Sequence, residues 1–89
     1  MDPHLLLEEI KKLPPAEAIQ RLDDIIGSNP ENEEALTLRG MKHWALNNRQ
    51  QAINDYLEAI RINPDSKAKI ALQLVSSIMD FYNPDLLNP

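Results

Sequence analysis

The fold is decided by residues 33–66, which have the sequence EEALTLRGMKHWALNNRQQAINDYLEAIRINPDS. In the second half of this stretch, apolar residues recur at spacings of three and four, as at Ile53, Tyr56 and Ile60. This spacing places their side chains on one face of an α-helix. An asparagine pair and the Asn63-Pro64 dipeptide interrupt the pattern, because asparagine and proline favour turns. The stretch therefore predicts two amphipathic helices joined by a short turn.

The pattern recurs along the chain with a fixed period. The dipeptide Asn29-Pro30 occurs again at Asn63-Pro64, one period of about 34 residues later. Under the same shift the matching pairs are Ala18 with Ala52, Ile19 with Ile53, Leu22 with Tyr56, Ile26 with Ile60 and Glu31 with Asp65. A fixed period of this length indicates a repeated supersecondary unit that stacks on its neighbour.

Five helical segments follow from the periodicity and its interruptions. They are roughly Pro3 to Lys12, Pro15 to Gly27, Glu33 to Leu46, Arg49 to Ile62 and Lys67 to Tyr82. Pro15 suits the first turn of a helix, and Gly27 can end one. Asn32 and Ser66 are expected to cap the helices that follow them. With two glycines and 4% aromatic residues, the composition also favours helices over strands, so we expect an all-α chain.

The segments predict one helical domain followed by a short tail. We expect the domain to cover residues 1–82, with repeat one at about 3–32, repeat two at 33–66 and a closing helix at 67–82. Residues 83–89 are expected to form a C-terminal tail. Met1 favours a complete small protein, and the alternative is a fragment of a longer repeat array.

Residues 33–66 also carry specific residue types at positions typical of a known repeat. They are Gly40, Ala52, Tyr56, Ala59 and Pro64. This pattern resembles the tetratricopeptide repeat family. The resemblance implies that the small residues lie where two helices approach closely and that the aromatic ring fills the gap between neighbouring pairs. The preceding segment keeps three of these positions, at Ala18, Leu22 and Pro30.

Repeat two also departs from the family pattern. Leu36 stands where the family often has tryptophan, Arg39 where it often has leucine, and His43 where it often has tyrosine. Even so, the resemblance implies a right-handed stack of antiparallel helix pairs with one concave and one convex face. It further implies a protein that recognises other proteins.

The resemblance implies a concave groove lined by the first helix of each pair. The predicted groove residues are Thr37, Leu38, Met41, Trp44 and Ala45, together with Ala71 and Val75 of the closing helix. We expect an apolar groove that binds a peptide or helix of a partner protein, because methionine and tryptophan adapt to varied contacts. The alternative is that the closing helix itself covers this face.

The closing helix has more apolar circumference than a solvent-facing cap requires. A candidate face for a partner or a second copy comprises Leu72, Ile78, Met79 and Tyr82. The tail leucines Leu86 and Leu87, a second copy of the chain, or a foreign partner would cover it. The alternative function is therefore a structural, self-associating helical protein, a homodimer.

Composition disfavours several other functions. The formal charge of −5 is the wrong sign for neutralising phosphates, so we expect neither nucleic acid nor an anionic membrane as a partner. No apolar run is long enough to span a bilayer. There is no cysteine, hence no disulfide or thiolate chemistry. We expect a cytoplasmic location.

No catalytic, metal or cofactor site is expected. His4 and His43 lie on different helices without a carboxylate at metal-ligand spacing, and we expect His43 to pack between helices with a hydrogen bond. The serines lack a neighbouring histidine or a glycine-rich elbow, which argues against an enzyme. Some family members clamp a terminal carboxylate with basic groove residues. Thr37, Met41 and Ala71 occupy comparable positions here, so we expect no such clamp.

Overall fold

The computed structural model describes the backbone of residues 3–82 and the side chains of residues 5–75. Within these residues the chain forms α-helices and no strand, which confirms the predicted all-α class. The helices are α1 (Pro3–Lys11), α2 (Pro15–Ser28), α3 (Glu33–Ala45), α4 (Arg49–Ile62) and α5 (Ala68–Tyr82). Every predicted boundary lies within one residue of the observed one. The predicted tail, residues 83–89 with Leu86 and Leu87, lies outside the described residues.

The helix ends have local causes that the sequence had indicated. Asn32 caps α3, because its side-chain oxygen accepts a hydrogen bond from the Ala35 amide at 3.1 Å. The Ser66 hydroxyl accepts from the Ala68 amide at 3.1 Å. The prediction that Gly27 ends α2 was one residue short. The helix runs through Ser28, and the Asn29 amide donates to the carbonyl of Ile25.

Successive helices pack against one another, and the most extensive contact joins α3 to α4. These two helices are antiparallel. The Asn63 amide, just after α4, donates to Glu33 Oε1 at the start of α3 (3.0 Å). At the opposite end, Asn48 Nδ2 lies 3.4 Å from His43 Nδ1. Helix α3 also contacts α2 and α1, so it has three neighbouring helices among the described residues.

The close approach of α3 to α4 depends on Gly40. A Cβ atom added at Gly40 would lie 2.5 Å from Tyr56 Cε1 and 3.2 Å from the Ala52 carbonyl oxygen. The Tyr56 ring is almost completely buried, at 2% exposure, and fills the space that a side chain would need. Burial, with a smaller effect from the Asp55 carboxylate, raises the pKa of the Tyr56 phenol, which therefore stays neutral at ordinary pH.

The apolar core consists of two clusters that meet at α3. The first joins α1, α2 and α3 through the buried residues Leu7, Ile10, Ala18, Leu22, Ala35 and Leu38. The second joins α3, α4 and α5 through Leu36, Ala52, Tyr56, Ala59, Ala68 and Val75. Each cluster is thin, as expected for a chain of this size.

An ion-pair network crosses three helices at Arg39. Its guanidinium donates twice to the Asp55 carboxylate of α4, both at 2.8 Å. It also donates to Asp23 of α2 at 3.0 Å. Asp55 is buried, and its hydrogen bond with Arg39 is the main cause that raises the pKa of Arg39 above its usual value. Arg39 stands where the family that the sequence resembles often has leucine, and here it makes polar contacts with two other helices.

We predict that Gly40→Ala destabilises the chain by about 1–2 kcal/mol. The clash with the Tyr56 ring outweighs the gain in helix propensity of alanine over glycine. Gly27→Ala is the matched control, because nothing lies within 4 Å of a Cβ atom there. It should stabilise the chain by up to about 1 kcal/mol. Urea unfolding followed by far-ultraviolet circular dichroism measures both changes; equal effects of the two substitutions would contradict the close approach.

We predict that Arg39→Met lowers the free energy of unfolding by about 2–3 kcal/mol, because it leaves the buried Asp55 carboxylate without its partner. Asp23→Asn should cost less than about 1 kcal/mol, since the Asp23 side chain is 56% exposed. Adding Asp55→Leu to Arg39→Met should recover most of the loss. The same urea titration checks all three, and a harmless Arg39→Met would show that the network contributes little.

Candidate functional site

A cleft of about 340 Å³ opens between α1, α3 and the connection from α4 to α5. Helix α3 forms its floor, α1 forms one wall, and the connection forms the other. The lining residues are Leu7, Glu8, Lys11, Glu33, Glu34, Thr37, Leu38, Met41, Asn63, Asp65, Ser66 and Lys67. This volume lies near the lower end of the range usual for ligand sites and accommodates one or two side chains of a peptide.

The wall formed by α1 is held to α3 by a lysine. Lys42 Nζ donates to the carbonyl oxygens of Lys11 (2.7 Å) and Leu13 (3.2 Å), at and just beyond the end of α1. A cation is favourable there, because the last carbonyls of a helix carry partial negative charge. Below this contact, Leu7 and Leu38 belong to the same buried cluster. The separation of α1 and α3 is thus fixed both by the Lys42 hydrogen bonds at the end of α1 and by the apolar cluster that contains Leu7 and Leu38.

The opposite wall is held by a polar network around Glu33. The Ser66 hydroxyl donates to Glu33 Oε2 at 2.9 Å, and the Asn63 amide donates to Oε1 at 3.0 Å. The Thr37 hydroxyl lies 3.0 Å from the Glu33 carbonyl oxygen and 3.2 Å from Ser66 Oγ. Because Ser66 also caps α5, this network ties the start of α3 to the start of α5.

Acidic side chains outnumber basic ones around the cleft. Glu8, Glu33, Glu34 and Asp65 contribute carboxylates, whereas the basic groups come from Lys11 and Lys67. Lys11 forms an ion pair with Glu8 at 3.2 Å on the α1 wall. The floor is apolar, with buried Leu38 beside Met41, whose side chain is 41% exposed. The lining of the cleft therefore combines apolar side chains with charged ones of both signs.

Three of the predicted groove residues come together in this cleft. They are Thr37, Leu38 and Met41. Thr37 and Leu38 are buried, at 6% exposure each, and Met41 is the member of the three that presents substantial apolar surface. The Thr37 hydroxyl is engaged with Glu33 and Ser66, so its role is to hold the wall.

The other predicted groove residues lie away from the cleft. Val75 belongs to the second core cluster, which joins α3, α4 and α5, and Trp44 and Ala71 pack half-buried against that cluster. The guanidinium of Arg49 lies 5.2 Å from the centre of the Trp44 ring. Ala45 is exposed at the end of α3 and does not line the cleft. On this side of α3, Trp44 is half-buried against a cluster to which α5 contributes Ala68 and Val75.

The predicted partner face of α5 is only partly described. Leu72 is half-buried against the second cluster. The side chains of Ile78, Met79 and Tyr82 lie outside the described residues. The described part of α5 instead exposes Ile70 and Leu74, each at 62%.

The residues assigned to the repeat pattern lie at helix contacts or in the connections. The buried ones are Ala18, Leu22, Gly40, Ala52, Tyr56 and Ala59. Pro30 and Pro64 are exposed in the connections after α2 and α4. His43 is half-buried and faces Asn48. Among the described residues, no group of three or more His, Cys, Asp or Glu side chains is arranged to hold a metal ion.

Sequence reasoning missed the two walls of the cleft. Leu7 could have been found, because it lies one period before Met41 and so takes the equivalent position in repeat one. The contributions of Asn63, Ser66 and Lys67 had no such signal. They reach the cleft because the connection after α4 passes beside the start of α3.

Comparison with protein-family models, with curated proteins and with solved structures finds no match to this chain. Within the part of the chain that the structure describes, each helix is too short or too polar to cross a lipid bilayer. The internal repeat and the cleft are therefore the observations from which a function is argued.

Proposed function

We propose that this chain is a non-enzymatic interaction scaffold of the tetratricopeptide type, which binds a peptide segment of a partner protein in the cleft between α1 and α3. The proposal includes a short right-handed stack of helix pairs. Support for the stack comes from the period of the sequence, which coincides with the succession of helix pairs α1–α2 and α3–α4. The approach of Tyr56 to Gly40 supplies the close helix contact that the resemblance implies.

The exposed side chain of Met41 above the buried Leu38 is the observation that carries the proposal. Both walls of the cleft are held by hydrogen bonds that involve Lys42 and Ser66, so the opening does not depend on a ligand to form it. A preformed apolar recess with a few polar groups at its edge is the usual form of a binding site. An unbranched thioether adapts to ligand side chains of different shape.

We predict that Met41→Glu weakens peptide binding by at least about tenfold, which corresponds to about 1.4 kcal/mol. The probes are peptides selected from a phage-displayed library of short random sequences against the unmodified chain, then synthesised with a fluorescent label. Fluorescence anisotropy measures the Kd. A charge on the apolar floor must be desolvated when an apolar ligand side chain enters, which is the reason for the loss.

Leu57→Glu is the matched control for this experiment. Leu57 is 51% exposed on α4 and does not line the cleft. The Kd of the Leu57→Glu variant for the peptide should therefore stay within about twofold of that of the unmodified chain. Circular dichroism verifies that both variants are folded. Peptides that bind both variants equally well, or that lose binding to both, would place the site elsewhere.

Self-association is a second candidate function, favoured by the exposed face of α5. Ile70 and Leu74 lie one period after Leu36 and Gly40. In the earlier pair α4 packs over these positions: Leu36 belongs to its core cluster, and Tyr56 contacts Gly40. Ile70 and Leu74 remain exposed, which suits a helix face that meets a second copy.

We predict a monomer–dimer equilibrium at micromolar concentrations, with the dimer weakened at least about tenfold by Leu74→Glu. The reason is the cost of bringing two charges into one apolar contact. Leu5→Glu, on α1, is the control, because Leu5 is 58% exposed but belongs to neither core cluster. Sedimentation equilibrium measures the dissociation constant. A monomer at all accessible concentrations would rule this candidate out.

A further inference from the structure

Helix α1, which forms one wall of the cleft, is shorter than the helices behind it. It has 9 residues, whereas α2, α3 and α4 have 13 or 14. We propose that α1 is a strap: it opens as a unit while α2, α3 and α4 stay folded, and a peptide bound in the cleft holds it closed. This inference rests on the proposed peptide-binding function and deepens it, because it states how that site is regulated.

Helix α1 depends on its apolar contacts to remain helical. An isolated helix of fewer than about 12 residues is marginal in water, because its few hydrogen bonds barely offset the cost of nucleation. In the described part of α1 the buried side chains are Leu7 and Ile10, which belong to the first core cluster. Loss of these two contacts therefore undocks and unfolds α1 in one step.

The helices behind α1 are joined by contacts that do not involve it. Helix α2 packs against α3 more extensively than α1 packs against either of them. The Arg39 guanidinium of α3 also donates to Asp23 of α2 and to Asp55 of α4. These contacts persist when α1 leaves, which is the condition for an opening that is local and not global.

The structure places the pivot of this movement at the carboxyl end of α1. Lys42 Nζ of α3 holds the carbonyl oxygens of Lys11 (2.7 Å) and Leu13 (3.2 Å) there. After residues 12–14, α2 begins at Pro15, whose ring restricts the backbone. A swing about this end moves Leu7 away from α3 and leaves the start of α2 in place.

The cleft is complete only when α1 is closed. Helix α1 contributes Leu7, Glu8 and Lys11 to the lining, and α3 contributes Leu38 and Met41. A peptide side chain between the two helices contacts both, so it binds the closed form more tightly than the open one. A ligand shifts an equilibrium by its difference in affinity for the two forms, and the bound peptide therefore holds α1 closed.

Hydrogen exchange of the native full-length chain, measured by NMR, tests whether α1 opens by itself. Arg39→Met weakens contacts that persist in the open form. It should therefore speed exchange of the α4 amides at least about tenfold and that of the α1 amides less than about twofold. If α1 opened only when the whole chain unfolds, both sets of amides would accelerate equally, and the inference would be wrong.

Leu7→Ala is the complementary variant, because it weakens a contact that exists in the closed form alone. Exchange of the α1 amides should become at least about tenfold faster, the effect of removing a buried leucine side chain. The α4 amides should accelerate as well, since global unfolding also starts from the closed form. An unchanged rate for the α1 amides would show that this contact does not hold α1, against the inference.

The peptide whose binding depends on Met41 tests whether a ligand holds α1 closed. At about twenty times its Kd it should slow exchange of the α1 amides about twentyfold, because a ligand specific for the closed form stabilises it in proportion to 1 + [L]/Kd. The Met41→Glu chain at the same peptide concentration is the control. Its α1 amides should slow by about threefold or less, since the Kd there is at least about tenfold higher.

The outcomes separate this inference from the proposed function. A peptide that slows exchange of the α4 amides but not of the α1 amides binds α3 without α1, so the strap is wrong and the peptide-binding function stands. Equal acceleration of both sets in Arg39→Met leads to the same conclusion. If no selected peptide depends on Met41, the proposed function fails and closure over a peptide fails with it.

Discussion

The Tyr56 ring packs against the backbone of α3 at Gly40, where an added Cβ atom would lie 2.5 Å from Cε1. This contact lets α3 and α4 approach more closely than two helices with ordinary side chains at the crossing. The remaining contacts of α3 depend on that distance. At this separation the Arg39 guanidinium reaches both oxygens of Asp55, and Asn63 reaches Glu33 at the helix end.

The position of α3 also explains why one side of it is open and the other closed. Towards α5, the Trp44, Ala71 and Leu72 side chains pack half-buried against the second cluster, which contains Val75. Towards α1, the corresponding space is bridged at one end by Lys42, whose ammonium group holds the carbonyls at the end of α1. A contact at the end of a short helix leaves room along its length, which is where the cleft lies.

Two polar networks help to hold the helices together. The Arg39 network joins α2, α3 and α4, and the Glu33 network joins the start of α3 to the start of α5. Each contains a buried member, Asp55 in the first and Ser66 in the second, whose burial is tolerable because its hydrogen bonds are made. Such networks specify which helices meet, whereas the small apolar clusters alone would allow more than one arrangement.

Much of the architecture could be predicted from local features of the sequence. The helix bounds follow from apolar spacing and from turn residues such as Asn32 and Pro15, which act through the backbone of their immediate neighbours. The resemblance to the tetratricopeptide repeat implied a close helix contact at Gly40 and Tyr56, and the structure has that contact. Arg39, by contrast, was noted only as a departure from the family pattern, because its partner Asp55 is 16 residues away on another helix.

The sequence by itself determined the five helices and their order, since these depend on backbone preferences and on the periodicity of apolar side chains. Only the tertiary structure decided that Val75 lies in the core and that Trp44 packs half-buried against it, while Met41 remains exposed. All three belong to apolar faces with the same helical spacing. Which of them meets water depends on how far the neighbouring helices stand apart, and that distance is set by contacts between residues far apart in the chain.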